Sequence, residues 1–230
     1  MPILFEDRTV LAIDKPRGWM LVPHTWQNTS RNLQAAITSS IAGGDYWARS
    51  RGLKFLRHVH RLDADTSGVL LFVKSMGAVE PITDLFEGRR MEKTYLAVVS
   101  GQPKQAEWSC ELMLGPDPRQ FGRMRVDAIA GKDAVTEFKV LATHGEFTLV
   151  EARPHTGRTH QIRVHLAESG CPIIGDDLYG RRVGVLPMGL RAVRLVFMNP
   201  FTRKRVDIRA PQEGFLREFG FDPKSVGSAP

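Results

Sequence analysis

The sequence predicts an α+β fold, one domain built on a large mixed sheet. Three observations carry this reading. An uninterrupted apolar run, Val69-Leu-Leu-Phe-Val73, has the length of a buried strand. Between residues 106 and 152, short β-prone segments alternate with turn residues, as in an antiparallel meander. Other stretches repeat their apolar residues at helical spacing.

The elements follow in order. Ile3 to Ile13 alternates weakly and breaks at Asp14-Lys15-Pro16-Arg17-Gly18, where Pro and Gly mark a turn. Residues 27–52 are polar and Gly/Ser-rich; Leu33, Ile37 and Ile41 predict a short helix before a loop at Gly43-Gly44. Ser75 is a candidate cap for a helix with Val79, Ile82, Leu85 and Phe86 on one face. Leu96 to Val99 predicts a strand closed by Ser100-Gly101. The meander is assigned to Glu107–Met113, Arg123–Ala128, Ala134–Ala142 and Phe147–Ala152. A helix is predicted from Thr159 to about Ser169, ended by Gly170. Val193–Phe197 and Arg205–Ile208 form a late hairpin, and Phe215, Leu216 and Phe219 mark a short helix. Residues 1–220 are read as the domain and 221–230 as a frayed tail.

Of 230 residues, 42% are hydrophobic and 25% charged, the range of folded proteins. No apolar stretch reaches the roughly 18 residues that span a bilayer. The N-terminus lacks a basic segment before an apolar one, and the cysteines, Cys110 and Cys171, are far apart. A reduced, cytoplasmic protein is the expectation. Lys and Arg number 32 against 25 Asp and Glu, a net charge of +7 that fits an acidic partner such as nucleic acid.

Four polar clusters are candidates for chemistry: Asp14–Gly18, His60–Gly68, Glu92–Tyr95 and Arg153–His165. Asp63 sits at the mouth of the Val69 strand. A carboxylate there is costly to desolvate unless paired, so it is a structural ion-pair member or a reactive acid. His155, His160 and His165 recur every five residues. Five residues turn a helix through about 500°, so they share no face, and no metal site is predicted. The chain has no Gly-x-Ser-x-Gly elbow and no phosphate-binding glycine fingerprint, so no cofactor is predicted. A glycoside hydrolase would use paired carboxyls roughly 5–9.5 Å apart, for which Asp63/Asp65 and Asp176/Asp177 are candidates. The arginine-rich surroundings lower carboxyl pKa values and disfavour the general acid that chemistry needs.

His60-Arg61-Leu62-Asp63 followed by Thr66-Ser67-Gly68 resembles the signature of the RluA-type pseudouridine synthases. Asp14-Lys15-Pro16-x-Gly18, Glu92-Lys93-Thr94-Tyr95-Leu96-Ala97 and Gly157-Arg158-Thr159-His160-Gln161-Ile162-Arg163-Val164-His165 resemble its other motifs. Pro172-Ile-Ile-Gly-Asp176 and Tyr179-Gly180 match the segment that follows. The likeness covers roughly residues 4 to 210, in family order.

The resemblance implies an RNA uridine isomerase on a mixed, mostly antiparallel central sheet with flanking helices and a central cleft. It needs no cofactor or metal, and it acts as a monomer on structured ribosomal or transfer RNA, away from membranes. Asp63 becomes the catalytic aspartate, with Tyr95 against the uracil and Arg163 pairing with Asp63. Arg61 fills the gap left by a flipped base. His60, Thr66, Arg158, His160, Gln161 and Lys15 are implied substrate or RNA contacts, and Leu195 a wall of the base pocket. An S4-like RNA-binding module, frequent in the family, has no room here, so 27–52 and Arg119–Arg125 are candidate contact loops. Arg191 stands where the family pattern has histidine. A non-catalytic RNA-binding protein is the competing class.

Overall fold

The computed structural model describes residues 1–21, 31–180 and 186–226. Its strands are β1 (Ile3–Glu6), β2 (Val10–Lys15), β3 (Arg57–His58), β4 (Ser67–Val73), β5 (Glu92–Ser100), β6 (Glu107–Cys110), β7 (Leu114–Pro116), β8 (Met124–Val126), β9 (Thr136–His144), β10 (Phe147–Pro154), β11 (Leu190–Met198) and β12 (Arg205–Arg209). Its helices are α1 (Leu33–Ala42), α2 (Tyr46–Arg49), α3 (Val79–Glu87), α4 (Gln161–Glu168) and α5 (Glu213–Glu218). None among the described residues is long and apolar enough to cross a membrane. The chain divides into two compact units, each with its own core, and the C-terminal third contributes residues to both.

One unit comprises Met1–Met91 and Arg194–Ala210. β2 pairs antiparallel with β1 and, from Val10↔Val73 to Lys15↔Gly68, with β4. Every residue of β4 is buried, as its unbroken apolar run predicts. Val10, Ala12, Val69, Leu71 and Val73 pack with Ile82 and Leu85 of α3 and with Leu195, Phe197, Val206 and Ile208. The predicted late hairpin is β11–β12, and its turn is tied down by Asn199, whose Nδ2 donates to Asp7 Oδ2 at 2.9 Å. The helix predicted from Leu33, Ile37 and Ile41 is α1, capped by Asn32 Oδ1 accepting from Ala35 N–H at 3.0 Å. Residues 27–30 of the polar stretch lie outside the described residues. The region read as loop contains α2. Ser75 makes no capping bond: a 3-10 turn, Met76–Ala78, separates it from α3.

The other unit comprises Glu92–Val193 and Pro211–Pro230. Its strands run β5-β10-β9-β6, with antiparallel pairing throughout. Alternate residues of β5 face opposite sides. Ala97 and Val99 meet Ile162, Leu166 and Ile173, while Leu96 and Val98 meet Phe215, Leu216 and Phe219. The predicted meander is interrupted. β7 and β8 form their own two-stranded ribbon, and β6 pairs directly with β9. Pro116 and Pro118 lack the N–H that a ladder interior needs, which keeps this segment off the main sheet. α4 starts two residues later than predicted because His160 adopts the left-handed conformation, φ 55°. The frayed-tail expectation fails for its first part. Phe221 and Val226, 4% and 6% exposed, pack with Phe215. Residues 227–230 lie outside the described residues.

Leu71→Ala removes a fully buried side chain from the first unit. It is expected to cost about 2–5 kcal/mol in urea unfolding. Met198→Ala, at a 54% exposed position of β11, is expected to stay within about 0.5 kcal/mol of wild type.

Candidate active site

The loop ahead of β4 carries Asp63, and buried polar contacts hold it. Lys15, at the end of β2, is fully buried. Its Nζ donates to the carbonyl oxygens of Pro16 and Trp19, both at 3.0 Å, and of Ala64 at 2.8 Å. Three acceptors match the ammonium's three donors. Burial lowers the Lys15 pKa to about 8, partly opposed by Asp65 and then Asp63. Gly18, at φ 77°, turns the chain so that its own N–H also reaches Ala64 O, at 2.9 Å. His60 Nε2 accepts the Leu71 N–H at 2.9 Å, and its ring stacks on Phe86 at 4.6 Å. An accepting Nε2 places the proton of the neutral ring on Nδ1. Thr66 N–H donates to Asp63 O at 3.2 Å, closing the turn. Between these anchors Asp63 is half-buried, while Arg61 and Asp65 are exposed.

In the other unit, Tyr95 is half-buried beside the Ala97 and Val99 face of β5. Lys93 Nζ donates to Thr156 O at 2.8 Å, and burial, reinforced by Arg158, lowers its pKa to about 8. Arg163 rises from the first turn of α4, 7% exposed. Its Nε and Nη2 donate to Asp176 Oδ2 and Oδ1 at 2.7 and 2.8 Å, a bidentate fork. Asp176 Oδ1 also accepts from Leu178 N and Tyr179 N, at 2.9 and 3.1 Å. The Arg163 guanidinium lies 5.1 Å from the Tyr179 ring centre. Tyr179 Oη accepts from Met124 N–H at 2.7 Å and meets His160 Nδ1 at 2.8 Å.

The motif residues therefore divide into support and presentation. Lys15 was expected to contact RNA but is enclosed and held by three carbonyls. Thr66 is 2% exposed and belongs to the Asp63 turn rather than to an RNA surface. Gln161 is 4% exposed; it bonds Thr156 Oγ1, Arg158 N–H, Val135 O and Thr136 Oγ1. Leu195 lies in the first unit's core. His60 is an anchor, and His160 pairs with Tyr179. Arg158, half-buried, donates from Nε to Asp133 O at 2.9 Å. Arg191 fits its place by donating to Pro211 O at 3.0 Å. The three histidines take separate partners: Glu137 for His155, Tyr179 for His160, and Thr136 with Leu112 O for His165.

The support roles of Lys93, Asp176 and Tyr179 were not foreseen. A buried arginine in a motif demands a carboxylate, and Asp176 in the following motif was the available signal. Its commitment to Arg163 also removes it as the second acid of a glycoside hydrolase.

Comparison with known proteins assigns the family. Residues 9–168 match the RNA pseudouridylate synthase family model. The chain belongs to the RluA-type family of RNA pseudouridine synthases. It is 35% identical over 214 residues to the RNA pseudouridine synthase YhcT of Bacillus subtilis, covering 92% of this chain and 68% of that one. It is 36% identical over 224 residues to ribosomal large subunit pseudouridine synthase C of Yersinia pestis, covering 94% and 67%. Human RNA pseudouridylate synthase domain containing 1 shares the fold at TM-score 0.73 and 25% identity, over 92% of this chain and 83% of that one. As a pseudouridine synthase, the protein exchanges the N1 glycosidic bond of an RNA uridine for a C5 bond.

Arg163→Ala strands the Asp176 carboxylate and is expected to destabilise the synthase by about 3–5 kcal/mol in denaturant titration. Lys15 gives a pH-dependent outcome. The folded protein releases its proton near pH 8, whereas the unfolded chain holds it to about 10.5. The unfolded state thus binds more protons in that window, so stability rises with pH across it. Unfolding curves between pH 8 and 10 are expected to move wild type upward relative to Lys15→Met, which has no such proton.

Proposed function

We propose that this synthase modifies uridines of ribosomal RNA and that Asp63 is its reactive group. The observation that carries the reading is the state of the Asp63 loop. Lys15 and His60 immobilise its backbone, while the carboxylate stays half-buried beside the exposed Arg61. Preorganising a reactive group on a fixed backbone is what a positioned nucleophile or proton acceptor requires. The names of the curated relatives support ribosomal RNA over transfer RNA.

A uridine inside folded RNA is out of reach of such a group, so it is flipped out, at a cost of a few kcal/mol. Arg61, long, planar and exposed, enters the vacated stack. Asp63 then acts at C1′ as the N1 bond breaks, and Tyr95 lies against the released uracil. The base turns, C5 bonds to C1′ as Asp63 is released, the C5 proton passes to solvent, and N1, freed of the sugar, takes up a proton in its place. The reaction is an isomerisation and needs no oxidant, reductant or second substrate. The enzyme works as a monomer in the cytoplasm, where its two buried free cysteines stay reduced.

Ribosomal RNA labelled with tritium at uridine C5 tests the assignment. Wild type is expected to release tritium into water and Asp63→Asn to release none while still binding the RNA. Release by Asp63→Asn at the wild-type rate would overturn the role of Asp63.

A further inference from the structure

The sheet of the second unit carries a charged recess that the chemistry above does not use. Its β6-β9-β10 part has two unlike faces. On one, Phe138, Val150, Ala152 and the partly buried Trp108 pack with Ile162 and Leu166 of α4, and the Trp108 and Phe138 rings stack at 4.9 Å. Residues that alternate with these face the other way. There, cross-strand neighbours form two rows: Glu107, Lys139 and Glu151, then Ser109, Glu137 and Arg153. These six line a recess of about 410 Å³, backed by Trp108 and Phe138.

Its three carboxylates are unequally committed. Glu107 Oε1 takes the Lys139 ammonium at 2.7 Å, and Glu137 Oε1 takes His155 Nε2 at 3.0 Å; both glutamates are exposed. Glu151 is 2% exposed. Its Oε1 accepts from Arg153 Nη2 at 2.8 Å, but its Oε2, also buried, has no hydrogen-bond partner among the described residues. A buried acceptor left unmatched is costly, and folded proteins keep few of them. Lys139, directly across from Glu151, is committed to Glu107. Three carboxylates against Lys139 and Arg153 make the recess net negative, in a chain whose net charge is +7. One acceptor and one negative charge are therefore left for a partner.

We propose that this recess binds a small organic cation, a guanidinium or primary ammonium on a short alkyl chain. Its N–H donates to Glu151 Oε2, a charge-assisted bond, and its charge balances the recess. Its methylenes lie along the apolar stems of Lys139 and Arg153. A metal ion is the poorer match, because among the described residues no three His, Cys, Asp or Glu side chains are placed to share one. The recess lies on the face opposite the one that α4 covers, so the cation sits apart from the motif arginine of that helix.

Isothermal titration calorimetry of the full chain with butylguanidinium, at low salt, supplies the test. Wild type is expected to bind one equivalent at millimolar concentration or below. Tetramethylammonium has the same charge and no N–H, and is expected not to bind. Glu151→Gln keeps the shape and removes the charge, and is expected to weaken binding roughly tenfold or more. Glu107→Lys adds a cation and frees Lys139 to turn to Glu151, and is expected to weaken binding by a similar factor. Position 107 is exposed, so the unfolding midpoint of that variant is expected to match wild type. Should Glu151→Gln lower its own midpoint, Glu107→Lys decides alone. Wild-type affinity in a folded variant, equal binding of tetramethylammonium, or no uptake of butylguanidinium by wild type would each overturn the site.

Discussion

A buried cation has to be met by oxygen, and the candidate site depends on that constraint at three places. Lys15 and Arg163 are buried and Lys93 is partly buried, and removing an ion from water without compensation costs several kcal/mol. Lys15 is met by carbonyls of two chain segments, 16–19 and 64, and so binds the N-terminal turn to the aspartate loop. Lys93 is met by Thr156 O, which fixes the segment leading to the arginine motif. Arg163 is met by Asp176, and that carboxylate in turn gathers the backbone of Leu178 and Tyr179. Each cation converts its own desolvation cost into a fixed loop position. Loops that carry reactive side chains lack a hydrogen-bonded ladder, so they need such ties to hold one geometry.

This separates residues that motif reading treats alike. Asp63 and Arg61 are presented, whereas Lys15, Thr66 and Gln161 are structural and enclosed. Within the first unit, Lys15 and Thr66 hold the loop on which Asp63 stands. A lysine among RNA-facing motifs reads as a phosphate contact by charge alone. Its burial and lowered pKa give it the opposite environment. The arginine-bearing ribbon at 114–126 divides the same way: Arg123 rests on Tyr179, while Arg119 and Arg125 face outward.

Much of the fold was legible in the sequence. The β4 run, the period of α1, the late hairpin and α5 all came from local patterning, which records which faces are buried. What sequence could not supply was long-range pairing. Nothing local says that β6 skips the ribbon to join β9, or that Phe221 and Val226 complete a core with Phe215. The helix start at α4 was displaced by one left-handed residue, His160, a conformation that no periodicity encodes. For the site, family resemblance supplied Asp63 and Tyr95 as candidates, and Asp176 was not seen as a partner of Arg163. Ion pairs thirteen residues apart are tertiary facts. The demand for some carboxylate could be read from a buried arginine; which one could not.

The most direct measurement is a map of pseudouridine in ribosomal RNA from cells with and without this gene. At least one ribosomal position is expected to revert to uridine when the gene is deleted. A plasmid copy of wild type restores it, and a copy carrying Asp63→Asn does not. A deletion strain that keeps every ribosomal pseudouridine, or full restoration by Asp63→Asn, would contradict it.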